Sequence, residues 1–277
     1  MNITILADNT AGRDGLRGES GFSAIIETDS RNFLFDTGLG SLFARNARQL
    51  GIELYGVDCI ILSHGHLDHS NGLSRALREC ANARLVLHRD AMKQKFSKST
   101  GVLHYVGLDR KTRHAVRDAD QSGRVSWYEN SPLAFDDALI FNAGGREKLP
   151  EGWNFYVEDS CGNDQPDRFY DEISLLLEGT HRNLLVVGCS HCSLPQIVQK
   201  AESLNNKPVG YIIGGSHLNN VSDAEIEQTA NFFKTRPECS LYLGHCTGIS
   251  GFSRLYHALD GVNLHPFQTG WSMAFDI

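Results

Sequence analysis

No apolar run in this chain approaches the ~20 residues needed to cross a bilayer. The longest informative ones, residues 57–62 and 184–187, have the length of core strands. No membrane partner is expected. Positive charge is also short, with 26 Lys+Arg against 33 Asp+Glu and a formal net charge of −7, so a polyanion finds no overall attraction and nucleic acid is not an expected partner. The opening segment MNITILADNT lacks a basic stretch and meets Asp8 too early for a secretory core, which gives a cytoplasmic location as the expectation. Seven cysteines (Cys59, Cys80, Cys161, Cys189, Cys192, Cys239 and Cys246) are odd in number and share no repeated spacing. They read as reduced thiols rather than a disulfide framework.

What the chain does have is enough apolar material for a large core: 41% hydrophobic residues in 277, with 21% charged. That length suits a single domain carrying an insertion. The opening alternates as strands at residues 3–6, 23–27 and 32–35, and a helical stretch at 42–50 stops at Gly51. Residues 57–62 then form a buried strand that runs into Ser63-His64-Gly65-His66-Leu67-Asp68-His69, with helical spacing over 72–80. The device recurs. A strand at 184–188 ends at Cys189-Ser190-His191 with a helix over 194–204 behind it. A strand at 211–215 ends at Ser216-His217, and Ser222 with Glu225 forms a capping box for a helix through Lys234. A strand at 241–244 ends at His245. Strands that each deliver a histidine at one end are what a sheet provides when a site lies along its edge. Residues 89–170 are less regular and read as an insertion or lid, in which 154–168 is loop material rich in Asp, Asn and Gly.

Three imidazoles and a carboxylate fall within His64-x-His66-x-Asp68-His69. On extended backbone, positions i and i+2 share a side, so His64 and His66 grip one ion while Asp68 and His69, past the bend, hold a second. A polar turn is the weaker reading, because it would desolvate several imidazoles at an apolar strand end.

This pattern resembles the metal signature of the metallo-β-lactamase superfamily, and Asp36 in Phe33-Leu34-Phe35-Asp36-Thr37-Gly38 matches its early F-D-x-G element. With Gly188-Cys189-Ser190-His191, Gly214-Gly215-Ser216-His217-Leu218 and Gly244-His245-Cys246-Thr247-Gly248, the chain is similar to the branch resembling 7,8-dihydropterin-6-yl-methyl-4-(β-D-ribofuranosyl)aminobenzene 5′-phosphate synthase. The resemblance implies an α/β fold, a four-layer αββα sandwich with one or two divalent metals at one edge. Carried over residue by residue, His64, His66 and His191 would hold one ion, and Asp68, His69 and His245 the other. Zn²⁺ is the expected metal, with Fe and Mn²⁺ compatible with the same ligands. The superfamily's usual H-T-P-G-H motif is absent. Asp171-Glu172-Ile173-Ser174 stands in that stretch, and Cys189 occupies the place of a bridging Asp in many relatives. Asp171, Glu172 and Cys189 are thus candidate extra ligands or neighbours.

The implied chemistry is hydrolysis or group transfer by a metal-activated water or substrate oxygen on a small, phosphorylated, pterin-like substrate. Asp68 serves as proton acceptor as well as ligand. His217 is either a substrate-contacting acid/base or a structural hydrogen-bonding group. Cys189-x-x-Cys192 and Cys246 read as packing, and His88, His104, His114, His181, His257 and His265 as ordinary histidines. Residues 84–124 carry ten Lys/Arg against four Asp, opposite in sign to the whole chain. With Trp127, Tyr128, Trp153, Phe155 and Tyr156 nearby, they are an expected anchor for an anion with a planar ring, with Arg110, Lys111 and Arg113 foremost. Two other readings are a phosphodiesterase, thioesterase or lactonase on the same fold, and a metal-containing binding or sensor protein without turnover.

Overall fold

A computed structural model describes residues 1–98 and 101–277, so residues 99 and 100 of the expected insertion and basic run lie outside the described residues. The chain forms two compact units. The first comprises residues 1–130, 154–167 and 268–276, the second residues 131–153, 168–267 and 277. The stretch 89–170 is therefore shared between them.

In the first unit the strands run Ser272–Ala274, Asn2–Ala7, Ser23–Glu27, Asn32–Phe35, Cys59–Leu62, Arg84–His88 and Val125–Tyr128 across one sheet. Pairing is antiparallel through Asn32–Phe35 and parallel beyond it. Parallel strands are buried on both faces and read as continuous apolar runs, and Cys59–Leu62 is buried at every position. Leu34, Ile60, Leu62, Leu85 and Leu87 share one core cluster with Phe43, Leu73 and Val116 from the helices Leu42–Gln49, Leu73–Glu79 and Arg110–Gln121.

The helix Arg110–Gln121 falls in a region that the sequence leaves irregular. Only Thr112, Val116 and Ala119 of its residues are buried, so its apolar stripe is too thin to stand out from the charges. Its start is fixed by Asp109, whose carboxylate accepts the Thr112 N–H at 2.6 Å. Residues 154–168 differ from the expected loop: Phe155–Glu158 and Asp164–Pro166 pair as a hairpin. Asp159 closes its turn by accepting the backbone N–H groups of Cys161 at 2.8 Å and Asn163 at 2.9 Å. These turn residues make the strands look like loop in the sequence.

The second unit's sheet runs Leu264–Pro266, Ser240–Leu243, Val209–Gly214, Asn183–Val186, Ile173–Leu177, Ala138–Asn142 and Leu133–Phe135. Asn183–Val186, Val209–Gly214 and Ser240–Leu243 pair in parallel, so their C-terminal ends share one edge. The helix Leu194–Asn205 ends at Asn206 in the left-handed region, a usual stop. The helix Asp223–Lys234 begins at Ser222, which accepts the Glu225 N–H at 3.4 Å. Only that arm of the expected box is used for capping, because the Glu225 carboxylate is paired with Arg146. No helix among the described residues is long and apolar enough to cross a membrane.

Candidate metal centre

The first unit's donors are arranged by one carboxylate. Asp36 is fully buried and sits at φ 57° just past the strand Asn32–Phe35. Its Oδ1 accepts the Ser63 N–H at 2.7 Å, and its Oδ2 accepts the Ser63 hydroxyl at 2.6 Å. The same Oδ2 lies 2.7 Å from His69 Nδ1. An ionised carboxylate only accepts, so His69 carries its proton on Nδ1 and presents the Nε2 lone pair. Ser63 has a single hydroxyl proton, already given to Asp36. Its oxygen, 2.9 Å from His64 Nδ1, therefore accepts from that ring, and His64 too presents Nε2. The His64 ring centroid stands 4.6 Å from that of His66 and 4.3 Å from that of His69, while His66 stacks on Phe155 at 5.3 Å. Asp68 is partly exposed, with Oδ2 3.9 Å from His69 Nε2. Gly65 lets the loop close, since a Cβ there would meet Ala91 O at 2.3 Å.

A parallel arrangement holds His191 in the second unit. Its Nδ1 is 3.0 Å from Glu172 Oε1, which also accepts the His191 N–H at 2.8 Å, while Glu172 Oε2 accepts the Cys192 N–H at 2.9 Å. Glu172, a candidate extra ligand or neighbour from sequence, thus orients His191 through Nδ1 as Asp36 orients His69. Burial pushes its carboxyl above the usual range, against the pull of the Cys192 and His191 backbone bonds. Two residues that the sequence reading passed over complete the surroundings. Phe169 stacks on His191 at 4.1 Å with an interplanar angle of 6°. Arg146 donates to His191 O at 3.0 Å and lies 5.0 Å over the Trp153 ring. The signal for Phe169 was conformational, a positive φ of 57°, which a sequence does not display.

His217 has its ring 4.6 Å from that of His191 and 4.8 Å from that of Trp153. His245 ends the strand Ser240–Leu243, nearly buried at 5% exposure. Cys192 is a packing thiol, its Sγ donating to Gly144 O at 2.8 Å, and burial pushes it well up. Cys246 differs. Burial pushes it up, but hydrogen bonds with Cys189 and His217 and the neighbouring His245 charge outweigh this and hold it well below the usual thiol range. One ligand atom each from Cys189, His217 and Cys246 lies within 4.8 Å of the others. Thus His64, His66, Asp68 and His69 gather in the first unit, and His191, His217 and His245 stand at strand ends of the second.

Oriented imidazoles whose Nδ1 atoms are held by a carboxylate, as in His69 and His191, or by a hydroxyl, as in His64, are the donor chemistry of a divalent-metal site. Over residues 16–152 the chain matches the family model "Metallo-beta-lactamase superfamily". Its fold is the mixed α/β metallo-β-lactamase fold, and members of the superfamily are generally hydrolases. The chain is similar to the solved structure of Tm1679, a metal-dependent hydrolase of the β-lactamase superfamily, with 26% identity, a TM-score of 0.83 and full coverage of both chains. It is also similar to two proteins of Methanocaldococcus jannaschii. One is the uncharacterized protein MJ0448, 29% identical over 91% of this chain and 93% of the relative. The other is 7,8-dihydropterin-6-methyl-4-(beta-D-ribofuranosyl)-aminobenzene-5'-phosphate synthase, 27% identical over 90% of this chain and 88% of the relative.

Proposed function

We propose that this chain is a metal-dependent hydrolase or transferase acting on a small, phosphorylated, pterin-like substrate. The observation that carries the metal reading is the shared orientation of His64 and His69, whose Nδ1 atoms are held by Ser63 and Asp36 so that Nε2 is the donor. In this reading His64, His66 and His191 hold one divalent ion, and Asp68, His69 and His245 hold a second, with zinc as the metal and Fe or Mn²⁺ as alternatives. Such ions polarise a phosphoryl or carbonyl oxygen and bring the pKa of a water to about 7. Asp68, the most exposed of the first-unit donors, takes the proton released at its carboxylate. His217 acts as an acid/base if its replacement by Ala keeps the metal and lowers turnover, and as a ligand if the metal is lost.

The substrate class rests on similarity to the pterin synthase over most of the chain and on the basic segment. Not all of that segment's cations are available to an anion. Lys95 is buried and paired with Asp167 at 2.5 Å, and Arg124 caps backbone carbonyls of Leu77, Cys80 and Ala83. Arg113 is bonded to Leu108 O and Lys93 O at 3.0 and 3.1 Å and to Met92 O, so it holds the loop rather than a ligand. Arg110, Lys111 and Arg117 line a cavity of about 850 Å³ together with Arg113, Tyr105 and Leu108, and unlike Arg113 they are not tied to the backbone carbonyls of that loop. They are the phosphate-binding groups in this reading. The partner is a small anionic molecule, and neither nucleic acid nor membrane belongs to it.

The test is elemental analysis of protein purified without added metal. Bound divalent metal is expected, and His66→Ala should lose most of it while the far-UV circular dichroism is retained. Unchanged metal in that variant would overturn the ligand assignment.

A further inference from the structure

The first unit carries a second, small sheet in the order Asp164–Pro166, Phe155–Glu158, Lys95–Ser97 and His104–Tyr105. Its strands are two to four residues long, and of their positions only Lys95 and Ser97 are buried. A lysine therefore stands where a sheet ordinarily buries an apolar residue. Lys95 is 1% exposed and Asp167 3% exposed, and Lys95 Nζ lies 2.5 Å from Asp167 Oδ2.

Such a pair is a poor source of stability, because desolvating two charges offsets most of their attraction, and apolar residues of similar volume often do as well. What buried polar groups fix best is register. Short strands with little buried surface specify their register weakly, and a slip of one residue turns every side chain to the opposite face. Here Val157 is paired with Lys95 and Phe155 with Ser97. Asp167 follows the strand on the other side, and its N–H donates to Phe155 O at 2.9 Å. The ion pair thus reaches across the strand Phe155–Glu158 from one neighbour to the other. That strand supplies the Phe155 ring, which stacks on His66 at 5.3 Å with an interplanar angle of 28°. A second path runs along the backbone: Val106 N–H donates to Lys95 O at 2.9 Å, and Val106 O accepts the Leu67 N–H at 2.8 Å. The residue next to His66 is tied to the same strand as Lys95.

We infer that Lys95 and Asp167 are positioning residues for His66: their buried pair fixes the register of Phe155–Glu158 against Lys95–Ser97, and Phe155 then holds the imidazole plane. The inference rests on the reading of His66 as a metal ligand. His64 and His69 are oriented by hydrogen bonds at Nδ1, whereas His66 is oriented by the face of an aromatic ring whose place depends on strand pairing. A slip of one residue would turn Phe155 to the other face of its sheet and leave His66 without that wall. Lys95 acts through Phe155, not as an anchor for an anionic substrate.

The test is NMR of the His66 imidazole protons in the full-length chain, with zinc affinity by chelator competition as a second reading. Stacked on Phe155, those protons lie in its ring current, and Phe155→Leu marks their position without it. Lys95→Met combined with Asp167→Leu replaces both charges by apolar groups. This double variant should melt at or above the wild-type temperature. Its His66 resonances should move to their place in Phe155→Leu, and both variants should bind zinc about tenfold more weakly. His66 resonances unmoved in the double variant overturn the inference. A double variant that melts lower or does not fold overturns it as well, since the pair would then serve stability. So does zinc affinity unchanged in either variant. A wild-type chain that binds no zinc, iron or manganese overturns the metal reading instead, and the resonances, which need no metal, still decide whether the pair places the His66 ring.

Discussion

Asp36 concentrates three interactions in one buried carboxylate: two from Ser63 and one from His69. Asp36→Asn keeps the shape but turns one oxygen into a donor that faces a hydroxyl or an imidazole N–H. The expected result is metal affinity lower by about 10–100-fold and a metal-free protein less stable by roughly 1–3 kcal/mol, read by chelator competition and by thermal melting. Cysteines give a second expectation at this scale. Burial pushes Cys59, Cys80 and Cys239 up to about 12, whereas Cys161 is exposed. At pH 8 an alkylating reagent should label Cys161 rapidly and leave those three untouched until the chain unfolds, which mass spectrometry of the labelled peptides would settle. The sign in alkali follows from the same shifts. The folded state keeps thiol protons that the unfolded state has lost, so stability should fall as pH rises from about 9 toward 12. Of these residue-scale facts, His64, His66, Asp68, His69 and Asp36 were legible because their types and spacing are themselves the signal. Glu172 was not, because whether a carboxylate touches an ion or the far nitrogen of a histidine depends on burial and side-chain direction.

Among the elements, strand ends were easier to read than helices of the charged region. The strands Cys59–Leu62, Asn183–Val186, Val209–Gly214 and Ser240–Leu243 are apolar runs cut short by polar donors, a contrast visible in one dimension. The helix Arg110–Gln121 hides its three buried residues among charges, and the hairpin Phe155–Glu158 with Asp164–Pro166 hides behind its own turn residues. That helix carries the substrate prediction. Changing Arg110, Lys111 and Arg117 together to Gln should raise KM for an anionic substrate well above any change for a neutral analogue, because each lost charge-assisted bond contributes roughly 1.5–3 kcal/mol. Equal shifts for the two substrates in steady-state kinetics would show that the cavity they line binds no anion. Asp109→Ala, which removes the helix cap, should lower the urea midpoint by an amount equivalent to about 1 kcal/mol.

At the scale of the whole molecule, the chain leaves the first unit after residue 130, returns for 154–167, leaves again and returns for 268–276. The last visit adds Ser272–Ala274 beside Asn2–Ala7, and Thr269 Oγ1 accepts the Asp8 N–H at 2.9 Å. Deleting residues 268–277 should therefore strip an edge strand from the sheet that carries Asp36 and lower the melting temperature. A melt unchanged by that deletion would show that the returning strand contributes nothing to the unit.

Asp36, Ser190, His217 and His245 all hold left-handed backbone, at φ between 48° and 58°. For residues with a Cβ that conformation costs roughly 1–2 kcal/mol relative to the right-handed alternative, and glycine relieves it. A population of variants selected only for heat resistance should drift toward glycine at these positions and lose its metal as it does so. One selected for metal retention should keep the side chains and gain its stability elsewhere. The distribution of glycine in two such libraries would measure, position by position, how much folding free energy this lineage gives up to keep its donors at the ends of strands.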